Sequence, residues 1–344
     1  METLELLDKF ISIPRPSGYE TEAKKCFIKL VSPFIDDCCE DIHGNVIAKK
    51  YGKTDKTIML IAHIDEVGML ITYIEDNGFI RFNIIGGVDL SLLKGRKVII
   101  RHKGNVIPGI IGSTPTHLQK QNAKNNCAEI DISDLWIDIG TSSKEETERL
   151  VSIGDCVVFD SSMTLLHNGN VTARGLDNAV GIVTLLEIAS KLPSKLEYTI
   201  CLVASIQEEI GLRGAITAAY TVQPNICIAV DVTHATDCPS MNKSKYGDIR
   251  LGEGCVIPFG ADMTPEIQDE MRRIGTEQNI LCQKEVHPSR SSTDIHSVQV
   301  VRGGCVTGLV SIPCRYMHSP VEVISLHDIE YASRIITEFI KSRR

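Results

Sequence analysis

The chain has 344 residues, 43% of them hydrophobic, enough for one large α/β domain and a second, smaller one. Its 36 basic and 44 acidic residues give a formal charge of −8, with no basic stripe or tail to draw phosphate backbones, so nucleic acid is not an expected partner. Glu2, Glu5 and Asp8 spoil a signal peptide and no apolar run reaches the ~18 residues of a membrane span, so a cytoplasmic protein without membrane contact is expected.

The twelve cysteines are scattered without a C-x-x-C pair and read as reduced thiols, with Cys201, Cys227 and Cys305 as small buried hydrophobes inside apolar runs.

The first apolar, β-branched run is 57–62 (TIMLIA), a strand buried on both faces, and it leads straight into His63-Ile64-Asp65. From 69 to 159 the texture changes to short alternating segments with glycine turns and no long helical period, which predicts an inserted, mostly β domain. The main α/β domain is then expected over 1–68 and 160–344, and it is expected to be the catalytic one because the candidate residues that follow all fall in it.

Residues 170–173 are strand-like and precede Gly175-Leu176-Asp177-Asn178, at the mouth of a helix predicted over 178–192; Asp177 could simply cap that helix. Strands follow at 198–204, leading to Gln207-Glu208-Glu209, at 226–230, ended by Asp231, and at 306–312, shortly before His318. The last helix opens at Ser325, with Asp328 three residues on as in a capping box. Alternating strands and helices imply an α/β fold, a mixed sheet flanked by helices.

In open α/β sheets ligands collect beyond the carboxyl ends of strands, and His63, Asp177, Glu209, Asp231 and His318 all fall at or near such ends. Two imidazoles and three carboxylates without cysteine suit zinc or cobalt, with manganese also compatible. Two ions roughly 3.5–4 Å apart would need one bridging carboxylate, and one histidine and one further carboxylate each, which this inventory supplies. Glu208 and Glu209 on an extended chain would point to opposite faces, which suits separate tasks and argues against a glycosidase carboxylate pair.

The stretches AHIDEVG (62–68), GLDN (175–178), QEEIGLRGA (207–215), DVTHA (231–235) and RYMHSP (315–320) resemble the tetrahedral aminopeptidases, a family that includes glutamyl and deblocking aminopeptidases. The resemblance implies that Asp177 bridges two metal ions, with His63 and Asp231 completing one site and Glu209 and His318 the other. It implies Glu208 as general base and Asp65 as the acid that orients the His63 ring. It also implies peptide substrates with a free N-terminus, a small β-barrel insertion used for dimer contacts, with GIIG at 109–112 as part of it, and dimers assembling to a dodecamer. The alternatives are a dinuclear deacylase or carboxypeptidase, or a metal-binding scaffold without catalysis. Two departures from the family pattern stand out: Ala179 where arginine is usual, and Ser291-Ser292-Thr293-Asp294-Ile295-His296 in place of a glycine-rich loop bordering the pocket. His296 is read as a solvated loop residue, as are His43, His102, His117, His167, His234, His287 and His327.

Overall fold

The computed structural model describes residues 2–115, 117 and 131–343. Its central sheet has eight strands, in the spatial order Asp37–Glu40, Val46–Lys50, Thr199–Ser205, Thr57–His63, Ile226–His234, Val306–Cys314, Cys255–Val256 and Cys282–Gln283. The four middle strands are mutually parallel, while Val46–Lys50 and Cys255–Val256 pair antiparallel to them, so the sheet is mixed.

The two-residue period of a strand sorts its side chains between two cores. From the Thr57–His63 strand, Ile58, Leu60 and Ala62 enter one core with Leu202, Ile228 and Val230, covered by helices Thr3–Ile11, Thr21–Val31, Leu176–Lys191 and Leu326–Ser342. Met59 and Ile61 point the other way, into a core with Val203, Ala229 and Leu309 under helices Arg213–Val222 and Asp294–Gln299. A strand apolar on both sides is what such a sandwiched position requires.

The helix Leu176–Lys191 is apolar nearly all round, because it runs between the sheet and the flanking helices; its interior positions Val180, Ile182, Val183 and Leu185 are fully buried. It begins two residues earlier than 178, and its first residues are irregular: Asp177 and Asn178 are non-helical and joined by a cis peptide. The last helix also departs from expectation. Ser325 caps it by accepting from the His327 N–H, but Asp328 makes no capping box and instead accepts the N–H groups of Gly252 and Gly254.

Between Gly68 and Phe159 lies a closed six-stranded barrel, in the order Gly68–Ile74, Ile80–Ile85, Leu135–Asp138, Asn105–Ser113, Lys97–His102, Cys156–Phe159, with its own core around Met69, Ile71, Val98, Ile100, Ile111 and Val157. GIIG at 109–112 lies on one of its strands. All eleven cysteines among the described residues are free; Cys201 and Cys227 are buried, Cys305 only partly, and Cys127 lies outside the described residues.

Candidate metal centre

The strand register explains the cleft. Ile226–His234 pairs with Thr57–His63 only as far as Ala229 with Ile61, and beyond that point the two strands separate. Asp231 and His63 stand on either side of this opening, and Asn178 Nδ2 donates to the Val230 carbonyl at 2.9 Å, tying the helix mouth to it. Asp231 does not end its strand, as the sequence suggested; the strand continues to His234.

All five predicted ligand residues meet here, around a cavity of about 640 Å³. The Asp177 carboxylate lies between the two histidines, with Oδ1 3.1 Å from His63 Nε2 and Oδ2 3.2 Å from His318 Nε2. Asp231 Oδ1 is 3.5 Å from the same nitrogen of His63, and Glu209 Oε2 is 3.3 Å from that of His318. Asp177 therefore is not a helix cap. His63, Asp177 and Asp231 form one group of potential ligand atoms within 4.8 Å of one another, Asp177, Glu209 and His318 a second, and His63, Glu208 and Glu209 a third.

Both rings are oriented by their far nitrogens. His63 Nδ1 contacts the Asp65 backbone carbonyl at 3.2 Å, and His318 Nδ1 the Gly87 carbonyl at 3.1 Å, so each Nδ1 donates to its carbonyl and Nε2 is the nitrogen turned toward the carboxylates. The Asp65 carboxylate is thus not the principal partner of the imidazole, its Oδ1 lying 3.6 Å from His63 Nδ1. It accepts the backbone N–H groups of Glu208 (3.1 Å) and Glu209 (3.2 Å) and the Ser17 hydroxyl (2.6 Å).

Those two N–H contacts follow from a backbone that is not extended. Gln207 has φ +56°, and the Glu208 carbonyl accepts from Gly211 and Leu212 in a tight turn. Contrary to the sequence reading, Glu208 and Glu209 therefore do not point to opposite faces; both line the cavity. Their tasks differ by neighbour: Glu209 faces His318, whereas Glu208 Oε2 stands 4.0 Å from His63 Nε2.

Asp177, Glu208, Glu209 and Asp231 crowd around His63 and His318. Burial, with Asp231, Asp294 and Glu209 nearby, pushes Glu208 up to about 11 against the pull of His63. Burial and Asp177 raise Glu209 well above the carboxylate range, and burial raises Asp231. Asp177 goes the other way: against its burial, His318 and His63 hold it below the usual range. The carboxylates in turn overcome burial at both rings, taking His318 up to about 10 and His63 well above its ordinary value. Glu209 Oε1 is buried without a hydrogen-bond partner, a lone pair free for a cation. A nitrogen-and-oxygen donor set with surplus negative charge and an unused acceptor fits divalent metal ions.

Three groups escaped the sequence reading. Glu322, fully buried and pushed up to about 8 by burial and Asp177, accepts the N–H of Asp177 at 3.0 Å and of His318 at 2.8 Å. Asp294 accepts the Ser205 hydroxyl behind the cleft. Glu66 binds two arginines. A lone acid carries no sequence signal for such contacts. The His296 side chain is 38% exposed, in keeping with a solvated residue, but stands on the helix Asp294–Gln299 rather than a loop and lines the cavity with His234 and His287, its Nδ1 3.7 Å from Asp262. His102 is buried against Asp155 at 2.7 Å.

The model of the M42 glutamyl aminopeptidase family matches residues 44–335. The chain belongs to the M42 glutamyl aminopeptidase family. It is 34% identical to the lysyl aminopeptidase of Pyrococcus furiosus, over 95% of this chain and 93% of that one. Among solved structures, an aminopeptidase of the archaeon Desulfurococcus kamchatkensis superposes with a TM-score of 0.92 at 35% identity, covering 99% of this chain and 94% of that one. The TET1 peptidase of Pyrococcus horikoshii, described as able to assemble into a tetrahedron or a large octahedral shell, superposes at 0.87 with 33% identity, covering 98% and 99%. Membership makes the chain a peptidase of the aminopeptidase class, with the tetrahedral aminopeptidase fold.

Proposed function

We propose that this M42 peptidase removes N-terminal residues from peptides with two divalent metal ions, zinc or cobalt, with manganese also suited to the donors. The observation that carries this reading is the Asp177 carboxylate, whose two oxygens each face the Nε2 of a different histidine. Asp177 would bridge, His63 and Asp231 would hold one ion, and Glu209 and His318 the other. Ions held there would supply Lewis acidity for the scissile carbonyl and lower the pKa of a water molecule toward ~7.

The chain's own residues do the rest. Glu208 takes the proton of the attacking water and delivers it to the leaving amine, from its place on the cavity wall beside His63. Asp65 fixes the turn that aims Glu208, and the Asp65 and Gly87 carbonyls fix the two rings. A free α-amine would find acidic or metal partners in the cleft, which confines the reaction to N-termini. A deacylase or carboxypeptidase with the same ligands would act on N-acyl amino acids or C-termini instead.

The barrel is proposed to mediate dimer contacts in a homo-oligomer, with dimers building a dodecamer. Support comes from the assembly described for TET1 of P. horikoshii and from Val106 and Ile110, apolar and about half exposed on one barrel strand. Free, partly buried thiols suit the reducing cytoplasm, and no helix among the described residues is long and apolar enough to cross a membrane.

The test is metal-reconstituted protein assayed on aminoacyl-p-nitroanilides, N-acyl amino acids and C-terminally free peptides, with elemental analysis alongside. Two ions per chain and turnover only of free N-termini are expected. At most one ion, or turnover of N-acyl substrates alone, would overturn the reading.

A further inference from the structure

Behind the cleft, two arginines share one carboxylate in a fully buried cluster. Glu66 accepts the backbone N–H of Arg15 at 3.0 Å and receives the Arg174 guanidinium on both oxygens. Arg15, with no solvent exposure, donates to the Phe10 carbonyl at 3.1 Å and to the Gly175 carbonyl; Arg174 donates to the Ile11 carbonyl at 2.7 Å. The cluster thus joins the end of the first helix to Arg174 and Gly175, three and two residues before Asp177.

Its composition is costly for a merely structural joint. Two buried guanidinium groups lean on one carboxylate, with Glu322 and Asp65 further off, Arg15 Nε has no acceptor, and well-packed apolar residues are often at least as stable as buried ions. The clue to its use is Gly175. Its φ of +59° lies in the left-handed region, and a Cβ there would stand 2.3 Å from Glu66 Oε2 and 3.1 Å from Arg15 Nη2. Only glycine lets this backbone touch the cluster. Two residues on, the Asp177 N–H is held from the other side by Glu322.

We propose that Arg15, Glu66 and Arg174 are positioning residues that set where Asp177 stands and, through it, how the two metal sites share a carboxylate. This inference rests on the dinuclear reading above. The adjacent acids Asp65 and Glu66 then divide the work: Asp65 fixes the Glu208–Glu209 turn in front, and Glu66 fixes the approach to Asp177 behind.

The test titrates Co²⁺ into metal-free wild type, Gly175→Ala and Arg174→Lys, following heat of binding and the visible cobalt absorption, with circular dichroism to establish folding. Wild type should take two ions. Gly175→Ala should stay folded but bind about 10–100-fold more weakly at one site or both, with a changed cobalt spectrum, as expected when support behind a ligand is lost. Arg174→Lys keeps the charge but cannot hold Glu66 and the Ile11 carbonyl through two separate nitrogens, and should fall between the two; it carries the test if Gly175→Ala does not fold. Wild-type affinities and spectrum in the folded variants, with only lowered thermal stability, would overturn the proposal and leave the dinuclear reading intact. Fewer than two ions in wild type would overturn that reading and this one with it.

Discussion

The Gly87 carbonyl, contributed by the barrel, sits 3.1 Å from His318 Nδ1, contributed by the far end of the chain, and so sets the ring that faces Asp177 and Glu209. A Cβ on Gly87 would lie 3.1 Å from that same nitrogen. Gly87→Ala should therefore tilt the ring and lower kcat/KM by about 10–100-fold, with weaker metal retention. Steady-state kinetics and metal content after dialysis check this; unchanged values for both would show that the contact does not orient the ring.

Glu208 and Glu209 part by neighbour rather than by backbone direction. Glu208→Gln should keep both metals yet lose about 10² to 10⁴ in kcat, the usual worth of a general acid/base. Glu209→Gln should lose metal and activity together, since an amide ligates more weakly. Elemental analysis beside turnover separates the two, and a fully metallated, active Glu208→Gln would remove the base assignment.

Metal should be part of the stability of the fold. Ions that bind only the native state contribute about 2.7 kcal/mol at a free concentration of one hundred times Kd. A chelator should lower the thermal midpoint, and readdition of zinc or cobalt should restore it. An identical midpoint with and without chelator would contradict native-state binding.

Asp328 gives the fold a pH dependence remote from the cleft. Burial pushes its carboxyl up to about 7, even though the Gly252 and Gly254 N–H groups favour the charged form. In the unfolded chain it ionises near its ordinary ~3.9. Between those values the native state holds the extra proton, so the stability owed to this group falls as pH rises from about 4 to about 7 and is level above that. The span is on the order of 4 kcal/mol from a shift of about three units. Asp328→Asn cannot ionise, and urea midpoints across this window should be flatter than in wild type; parallel curves would refute the assignment.

The Val106 and Ile110 side chains predict the assembly surface. Val106→Asp with Ile110→Asp should yield smaller particles by light scattering at micromolar concentration while leaving the barrel folded. A monomeric wild type, or a variant as large as wild type, would remove that surface from the interface.

The sheet and the meeting of five residues in one cleft were legible in the sequence because both rest on local signals: β-branched runs mark strands buried on two faces, and His63, Asp177, Glu209, Asp231 and His318 each follow or join one. What failed was whatever depended on local backbone departures. The turn opened by Gln207 aims Glu208 and Glu209 together, and the irregular start at Asp177 and Asn178 turns a presumed cap into a cleft residue. Contacts made across the chain, such as Glu322 with the Asp177 N–H or Asp65 with the Glu208 N–H, join residues whose spacing has no period to read.

The order of the site along the chain has a consequence for biosynthesis. Its members run from His63 to His318, and the strand bearing His63 acquires its two sheet neighbours only after the whole barrel has been made. A growing chain that has released His63, Asp177 and Glu209 still lacks Asp231 and His318. With the proposed ligand set, a nascent chain could not complete either ion's shell until Asp231 and His318 have emerged, so hydrolytic power would arrive only as synthesis ends.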